Sequence, residues 1–277
     1  MWNHNGELKE FDEVRLTPNN RAFNYGDAVF ETVKIVNKKI VFWEDHYFRL
    51  MASMRMVRMK IPIEFTLEFL EEEILKTAAV LITKTNLRAR LTVYRKDGGF
   101  YKPKTNEVEY LIEVQETQSI VKESYKIDLY KDFYVYSGYL STIKSNNKLI
   151  NTLASIFAEE NDLDNCILLN ERKGVVEVTN ANIFLIKDFV IKTPSLTEGC
   201  LKGIVRAKIL EMLSKNEDYK VEETSITPFE IQKADEVFVC NSIIGIQPVT
   251  NYRKKEFKIE VSEKLSASLK VLEVTSR

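Results

Sequence analysis

Lys144 is the side chain best surrounded for covalent chemistry. It lies in "YLSTIKSNNKLIN", Tyr139 to Asn151, where Leu140 and Ile143 precede it and Ser145-Asn146-Asn147 follow. An apolar helical pattern then begins. A lysine between an apolar strand end and a helix start is partly desolvated, which favours its neutral amine. A neutral amine is a nucleophile toward carbonyls. The plainer reading is a solvated loop charge, one of 40 Lys and Arg in the chain. The stretch alone leaves both open. His4 and His46 are the only histidines, and no HExxH, CxxC or His-Cys cluster occurs, which argues against a zinc site. No GxSxG elbow supplies a serine nucleophile. Proton transfers therefore fall to lysine, carboxylate or tyrosine, with His46 read as an exposed or packed imidazole near a helix start.

The elements that would hold such a lysine alternate between strand and helix. "NKKIVFWE" reads as a strand after a turn at Asn37. "EDHYFRLMASMRMVRM" places Leu50, Met54 and Val57 at helical spacing, and "FTLEFLEEEILKTAAVLIT" places Leu70, Ile74, Ala78 and Leu81 on one face. "RARLTVYR" alternates as a half-buried strand does. A Gly/Pro-rich loop, "KDGGFYKPKTNE", leads to the strand "VEYLIEVQ". A polar connector follows, giving expected domains at 1–115 and 126–277 with a linker at 116–125. Beyond it, "NKLINTLASIFAEEN" reads as a helix with Leu149, Leu153, Ile156 and Phe157 inside. "NCILLN", "VVEVT", "NIFLIK" and "FVIKTP" read as short strands, and "GIVRAKILEML" as a helix opening after Gly203. "TPFEIQKA" carries a capping box, Thr227 with Glu230, and Pro228 at the first helical position. It runs into the strand "EVFVCN".

At 277 residues, 44% hydrophobic and 29% charged, the chain has the make-up of a folded soluble protein of one large or two ordinary domains. A net charge of −1 gives no reason to expect nucleic acid or an anionic membrane. No apolar run approaches the ~20 residues of a membrane helix, and "MWNHNGELKEFDE" is too polar for a signal peptide. Cys166, Cys200 and Cys240 are scattered and odd in number, which fits a reducing cytoplasm better than a disulfide framework.

Five blocks, in order, resemble the class IV aminotransferases, the fold-type IV enzymes dependent on pyridoxal 5′-phosphate. "RAFNYGDAVFETVK", Arg21 to Lys34, is similar to that family's YGDGxFET signature. "HYFRL" at His46, "IKSNNKLINTLAS" at Ile143 and "GVVEVTNANIFLIKDFVIKTP" at Gly174 follow. "CLKGIVRAKIL" with "ADEVFVCNSIIGIQPV" completes the set, so the resemblance runs from about Asn5 to Val249. It implies a mixed α/β chain with a small N-terminal α/β domain and a larger barrel-like cofactor-binding domain. It also implies a homodimer with the active site near the interface.

By the same resemblance, Lys144 forms the internal Schiff base with the cofactor and then shuttles a proton. Glu177 pairs with the pyridine nitrogen and keeps it protonated, so that the ring absorbs carbanion charge. Arg49 binds the phosphate with its planar fork. Gly203, Ile204 and Val205 offer backbone N–H groups at a helix start, and Ser242 adds a hydroxyl. Tyr25, Phe30 and Thr32 fall on the substrate side, although Tyr25 and Phe30 read equally as core aromatics. Arg90, Arg95 and Lys34 are candidates for the substrate carboxylate.

The family divides into branched-chain aminotransferases, D-amino-acid aminotransferases and 4-amino-4-deoxychorismate lyases. Leu149 stands where the branched-chain enzymes have a tyrosine, and Phe100 about where the D-amino-acid enzymes have the arginine of an Arg-x-His pair. "KSNNKL" resembles the lyases' K-x-x-N-[RK]-L, with Asn147 and Lys148 in register, and "VCNSIIGIQPV" resembles their block before the final PV. The lyase leads, with a branched-chain-like aminotransferase as the alternative. A non-catalytic relic of the fold is the reading from another class. Relics shed the lysine or the ring-nitrogen carboxylate first, and Lys144 and Glu177 are both present.

Overall fold

Residues with period-two burial build the first sheet. The computed structural model describes residues 1–81, 86–118 and 120–275. These fall into two compact units: Met1–Gln118 with Ile143–Asn147, and residues 120–142 with Lys148–Thr275.

In the first unit the elements are β1 (Trp2–His4), β2 (Glu7–Lys9), α1 (Arg21–Tyr25), β3 (Ala28–Val36), β4 (Lys39–Ile40), α2 (Trp43–Met56), α3 (Leu67–Ala78), β5 (Asn86–Arg95) and β6 (Val108–Glu116). The strands form one antiparallel sheet in the order β2-β1-β6-β5-β3-β4. Val29, Val33 and Ile35 of β3, with Leu87, Ala89, Leu91 and Val93 of β5, join Leu50 and Met54 of α2 and Leu70, Ile74 and Ala78 of α3 in one core. Each large aliphatic so buried contributes about 1.5–3 kcal/mol.

The expected strand "NKKIVFWE" is cut short. It ends at Ile40, because Phe42 takes a left-handed φ of 53° and Trp43 already opens α2. Val57 and Leu81 are only half-buried, one capping α2 and the other in a 3-10 turn after α3. Ile82 and Thr83 of the expected second helix lie outside the described residues, as do Ser119 of the expected linker and residues 276–277.

The second unit runs through β7 (Lys126–Leu129), α4 (Leu149–Glu160), β8 (Asn165–Leu169), β9 (Val175–Val178), β10 (Asn182–Lys187), β11 (Val190–Pro194), α5 (Ile204–Ser214), β12 (Lys220–Thr224), α6 (Pro228–Lys233), β13 (Glu236–Asn241), β14 (Gly245–Val249), β15 (Asn251–Tyr252), β16 (Lys255–Glu256) and α7 (Glu260–Thr275). Two five-stranded sheets result, ordered β12-β11-β10-β13-β14 and β16-β15-β7-β8-β9. Ile127, Ile167 and Val175 of one sheet share a core with Ile183, Val237, Val239 and Val249 of the other. Burial on both faces explains why these strands read as continuous apolar runs. The capping box at Thr227 and Glu230 opens α6, with Pro228 in its first turn.

The inner face of α4 differs from expectation. Leu149 and Ile156 are 72% and 47% exposed. Ala154 and Ala158 form the buried stripe, flanked by Ile150, Leu153 and Phe157 and packed with Tyr130, Cys166 and Leu168. A helix lying directly on β8 puts its smallest residues at the line of contact and leaves larger ones at the sides. Among the described residues no helix is long and apolar enough to cross a membrane.

Candidate active site

In the first unit the site residues hang on β3. Pairing with β5 sets Phe30 opposite Thr92, Thr32 opposite Arg90 and Lys34 opposite Arg88. Directly paired residues share a sheet face, so Phe30, Thr32, Lys34, Arg88 and Arg90 stand on the face turned away from Val29, Val33 and Ile35.

Lys144 is brought to this strand by its own backbone. Its carbonyl accepts the Phe30 N–H at 2.8 Å, and the Asn146 N–H reaches the Ala28 carbonyl at 3.1 Å. Ile143 is buried in the first core, and the Asn147 amide packs so closely on Gly26 that a Cβ there would overlap it. Gly26 also takes a φ of 62°, which suits glycine. Lys144 Nζ lies 4.7 Å from the Phe30 ring centroid, and Arg90 Cζ lies 3.9 Å from it. Asn146 Oδ1 accepts from Arg90 Nη2 at 3.2 Å. Phe30 thus packs against both the Arg90 guanidinium and the Lys144 amine.

Glu31 is a carboxylate at a core-facing position of β3, and α2 answers it. Arg49 donates Nε to Oε1 at 2.8 Å and Nη2 to Oε2 at 2.6 Å, while His46 Nδ1 meets Oε2 at 2.6 Å. Glu31 is 1% and His46 0% exposed. Burial pushes the Glu31 carboxyl up, but Arg49 and then His46 outweigh it and hold it at about 2. Burial lowers His46 against the pull of Glu31, with the Arg49 and Lys144 charges adding to the lowering. The neutral imidazole donates from Nδ1, and its buried Nε2 has no hydrogen-bond partner among the described residues. Sequence reading passed over Glu31. The available signal was a charge in phase with Val29, Val33 and Ile35, facing a His46/Arg49 pair one helical turn apart.

A pH prediction arises from this cluster. His46 is neutral when folded, while the unfolded chain takes up a proton below the ordinary value of 6.5. The unfolded state then holds more protons, so stability is full above that value and falls as pH drops through it. Denaturant unfolding between pH 7.5 and 5 should show the loss, and His46→Gln should flatten that slope while lowering stability overall. A wild-type slope that persists in the variant would assign the proton elsewhere. Glu31 has the same sign in a lower window, its contribution fading as pH falls from 4.5 toward 2.

The remaining first-unit candidates separate. Tyr25 ends α1, partly exposed, with its ring 5.8 Å from that of Tyr101. Thr32 is half-buried opposite Arg90. Arg95 is only 5% exposed, and its guanidinium is committed to protein acceptors. Nε reaches Asp27 at 2.9 Å, Nη1 reaches Asn106 at 2.5 Å and Nη2 reaches the Val57 carbonyl at 2.7 Å. It clasps loops together, which leaves it a structural residue and not a substrate contact.

In the second unit Glu177 lies on β9, 9% exposed, and its Oε2 accepts the Leu201 N–H at 2.9 Å. The chain turns at Leu201 into α5, with Gly203 as the N-cap and no side-chain cap. The Gly203 N–H is itself engaged by the Leu201 carbonyl at 2.8 Å, so Ile204 and Val205 are the helix-start amides left to meet an anion. Ser242 sits half-buried in the β13–β14 turn, which Asn241 Oδ1 holds by accepting from Ile243 and Ile244, each at 2.9 Å.

The chain matches the model of amino-transferase class IV over residues 28–252. It belongs to that family. Aminodeoxychorismate lyase of Vibrio harveyi is 27% identical over 87% of this chain and 88% of its own length. D-alanine aminotransferase of Listeria monocytogenes is 26% identical over 89% and 86%. The crystal structure of a branched-chain aminotransferase from Thermoproteus uzoniensis superposes with a TM-score of 0.91 at 22% identity, covering 100% of this chain and 95% of that one. The protein is a fold-type IV enzyme, and its cofactor is pyridoxal 5′-phosphate. Each unit carries donors that suit that cofactor: the first a lysine amine, the second a buried carboxylate oriented by a backbone N–H and a helix start without a side-chain cap.

Proposed function

We propose that this enzyme is a 4-amino-4-deoxychorismate lyase, which releases pyruvate and leaves 4-aminobenzoate. The observation that carries the reading is the sheet face of the first unit where Lys34, Arg88 and Arg90 stand with Phe30 and Thr32, three cations against the carboxylate of Glu113, which pairs across from Arg90 and lies 3.9 Å from Arg88. Such a substrate carries two carboxylates on and beside a ring, which separate cations and an aromatic side chain suit. A branched-chain amino acid offers one carboxylate and an aliphatic tail. The "KSNNKL" pattern, in which Asn146 braces Arg90 and Asn147 packs on Gly26, supports the same choice.

When bound, the cofactor supplies an electron sink for the bond being broken. Lys144 provides the amine that reacts with its aldehyde and afterwards carries a proton at Nζ. Glu177 holds the proton on the ring nitrogen. The Ile204 and Val205 amides and Ser242 would hold the phosphate in the second unit, and Arg49 of the first is the residue that the family resemblance assigns to the same group. Glu31 fixes the orientation of Arg49 through its Nε and Nη2. Tyr25, Phe30, Thr32 and Arg90 receive the substrate. A cytoplasmic location is in keeping with three buried free thiols, and the homodimer is what the family resemblance implies.

The test is a visible spectrum of the purified protein, before and after L-glutamate, L-leucine or D-alanine, followed by aminodeoxychorismate with pyruvate measured. Pyruvate release with no change on the three amino acids is the expected result. Conversion of the band by an L-amino acid would replace the lyase with an aminotransferase and name its donor. No band after adding cofactor would leave a non-catalytic relic.

A further inference from the structure

Asn182 opens β10 and is 4% exposed. Its Nδ2 donates to the Leu201 carbonyl at 3.0 Å, the same carbonyl that accepts the Gly203 N–H at 2.8 Å. On the other side of the residue, the Leu201 N–H donates to Glu177 Oε2 at 2.9 Å. The peptides flanking Leu201 are therefore gripped from β9 and from β10 at once. The grip is tight enough that a Cβ on Gly203 would overlap Asn182 Oδ1. Gly203 has an ordinary φ of −70°, so proximity to Asn182, and not backbone conformation, is what demands glycine there.

We infer that Asn182 is a positioning residue: through the Leu201 peptide it aims the Glu177 carboxylate and, in the same contact, sets where α5 begins. This deepens the cofactor reading and rests on Glu177 facing the ring nitrogen. One buried amide thereby couples two groups that act on opposite ends of the cofactor, the carboxylate for the ring and the helix amides for the phosphate. A residue doing both must be short, must donate to a carbonyl and must leave room for nothing larger than hydrogen at position 203. Asparagine meets all three.

The experiment uses the full-length holoenzyme with pyridoxal 5′-phosphate ¹⁵N-labelled at the ring nitrogen. In the wild type the ring-nitrogen shift should be that of the protonated form. Asn182→Ala should move it toward the unprotonated form and speed cofactor release roughly tenfold, the scale of one lost orienting bond. Glu177→Gln should move it fully, and the double variant should match Glu177→Gln alone, because Asn182 acts through that carboxylate. An Asn182→Ala shift identical to wild type, or effects that simply add, would overturn the proposal while leaving the cofactor reading intact. An unprotonated ring in the wild type would overturn both. If Asn182→Ala does not fold, Asn182→Ser carries the comparison by amide hydrogen exchange. Exchange at Leu201 about tenfold faster than wild type is expected, and unchanged exchange would overturn the proposal. The steric half has its own readout. Gly203→Ala should lower the melting temperature, and adding Asn182→Ala should restore it to that of Asn182→Ala alone.

Discussion

Lys144→Ala yields a folded protein without the visible band of a lysine-bound cofactor, and with activity lowered by ~10³-fold or more. The fold survives because the segment is held by atoms that alanine keeps. The Lys144 carbonyl still accepts from Phe30, the Asn146 N–H still reaches Ala28, and Ile143 remains in its core. What is removed is an amine 4.7 Å from the Phe30 centroid, the group proposed to react with an aldehyde and then carry the proton. Near-identical melting curves for variant and wild-type apoprotein, beside a blank spectrum, would separate loss of chemistry from loss of structure. A band that persists would overturn the assignment, and Lys148, the residue preceding the first turn of α4, would be the next lysine to change.

How far such roles can be read from sequence depends on whether their causes are local. The buried strands Asn165–Leu169 and Asn182–Lys187 show as apolar runs, and the α6 start shows in Thr227, Pro228 and Glu230, because each cause lies within a few residues. The end of β4 was not legible, since it turns on the left-handed conformation of Phe42. Nor was the burial of α4, since spacing alone does not say that Ala154 and Ala158 lie at the line of contact. The Glu31 cluster joins residues 15 and 18 apart, and only the packing of α2 on β3 makes it one group. Lys144 stood out locally, yet its attachment to β3 and its place beside Phe30 and Arg90 come from tertiary structure. Its role, like that of Glu177, came from family resemblance, while the hydrogen bonds that aim these side chains came from neither pattern nor motif.

Glu177→Gln should keep the cofactor bound and slow turnover by about 10²–10³-fold, the usual scale for losing a preorganised electrostatic contact. The size follows from Leu201. Its N–H needs an acceptor and takes one carboxylate oxygen at 2.9 Å. A glutamine has one oxygen, and leaving a buried N–H unmet is expensive, so that oxygen stays on Leu201. The amide NH₂ is then turned to where the second carboxylate oxygen had been, so a donor replaces the acceptor that would pair with the ring nitrogen of a bound cofactor. Without that carboxylate, position 177 would no longer hold a proton on the ring nitrogen of a bound cofactor, whose capacity as an electron sink would fall. Binding survives because the α5 amides and Lys144 are untouched. Glu177→Asp is the discriminating control: it keeps the charge but shortens the reach, so it should retain a protonated ring with weaker alignment and fall between the two in rate. Equal rates for Glu177→Gln and wild type, with cofactor bound in both, would remove Glu177 from the chemistry and leave it only as the anchor for the Leu201 turn.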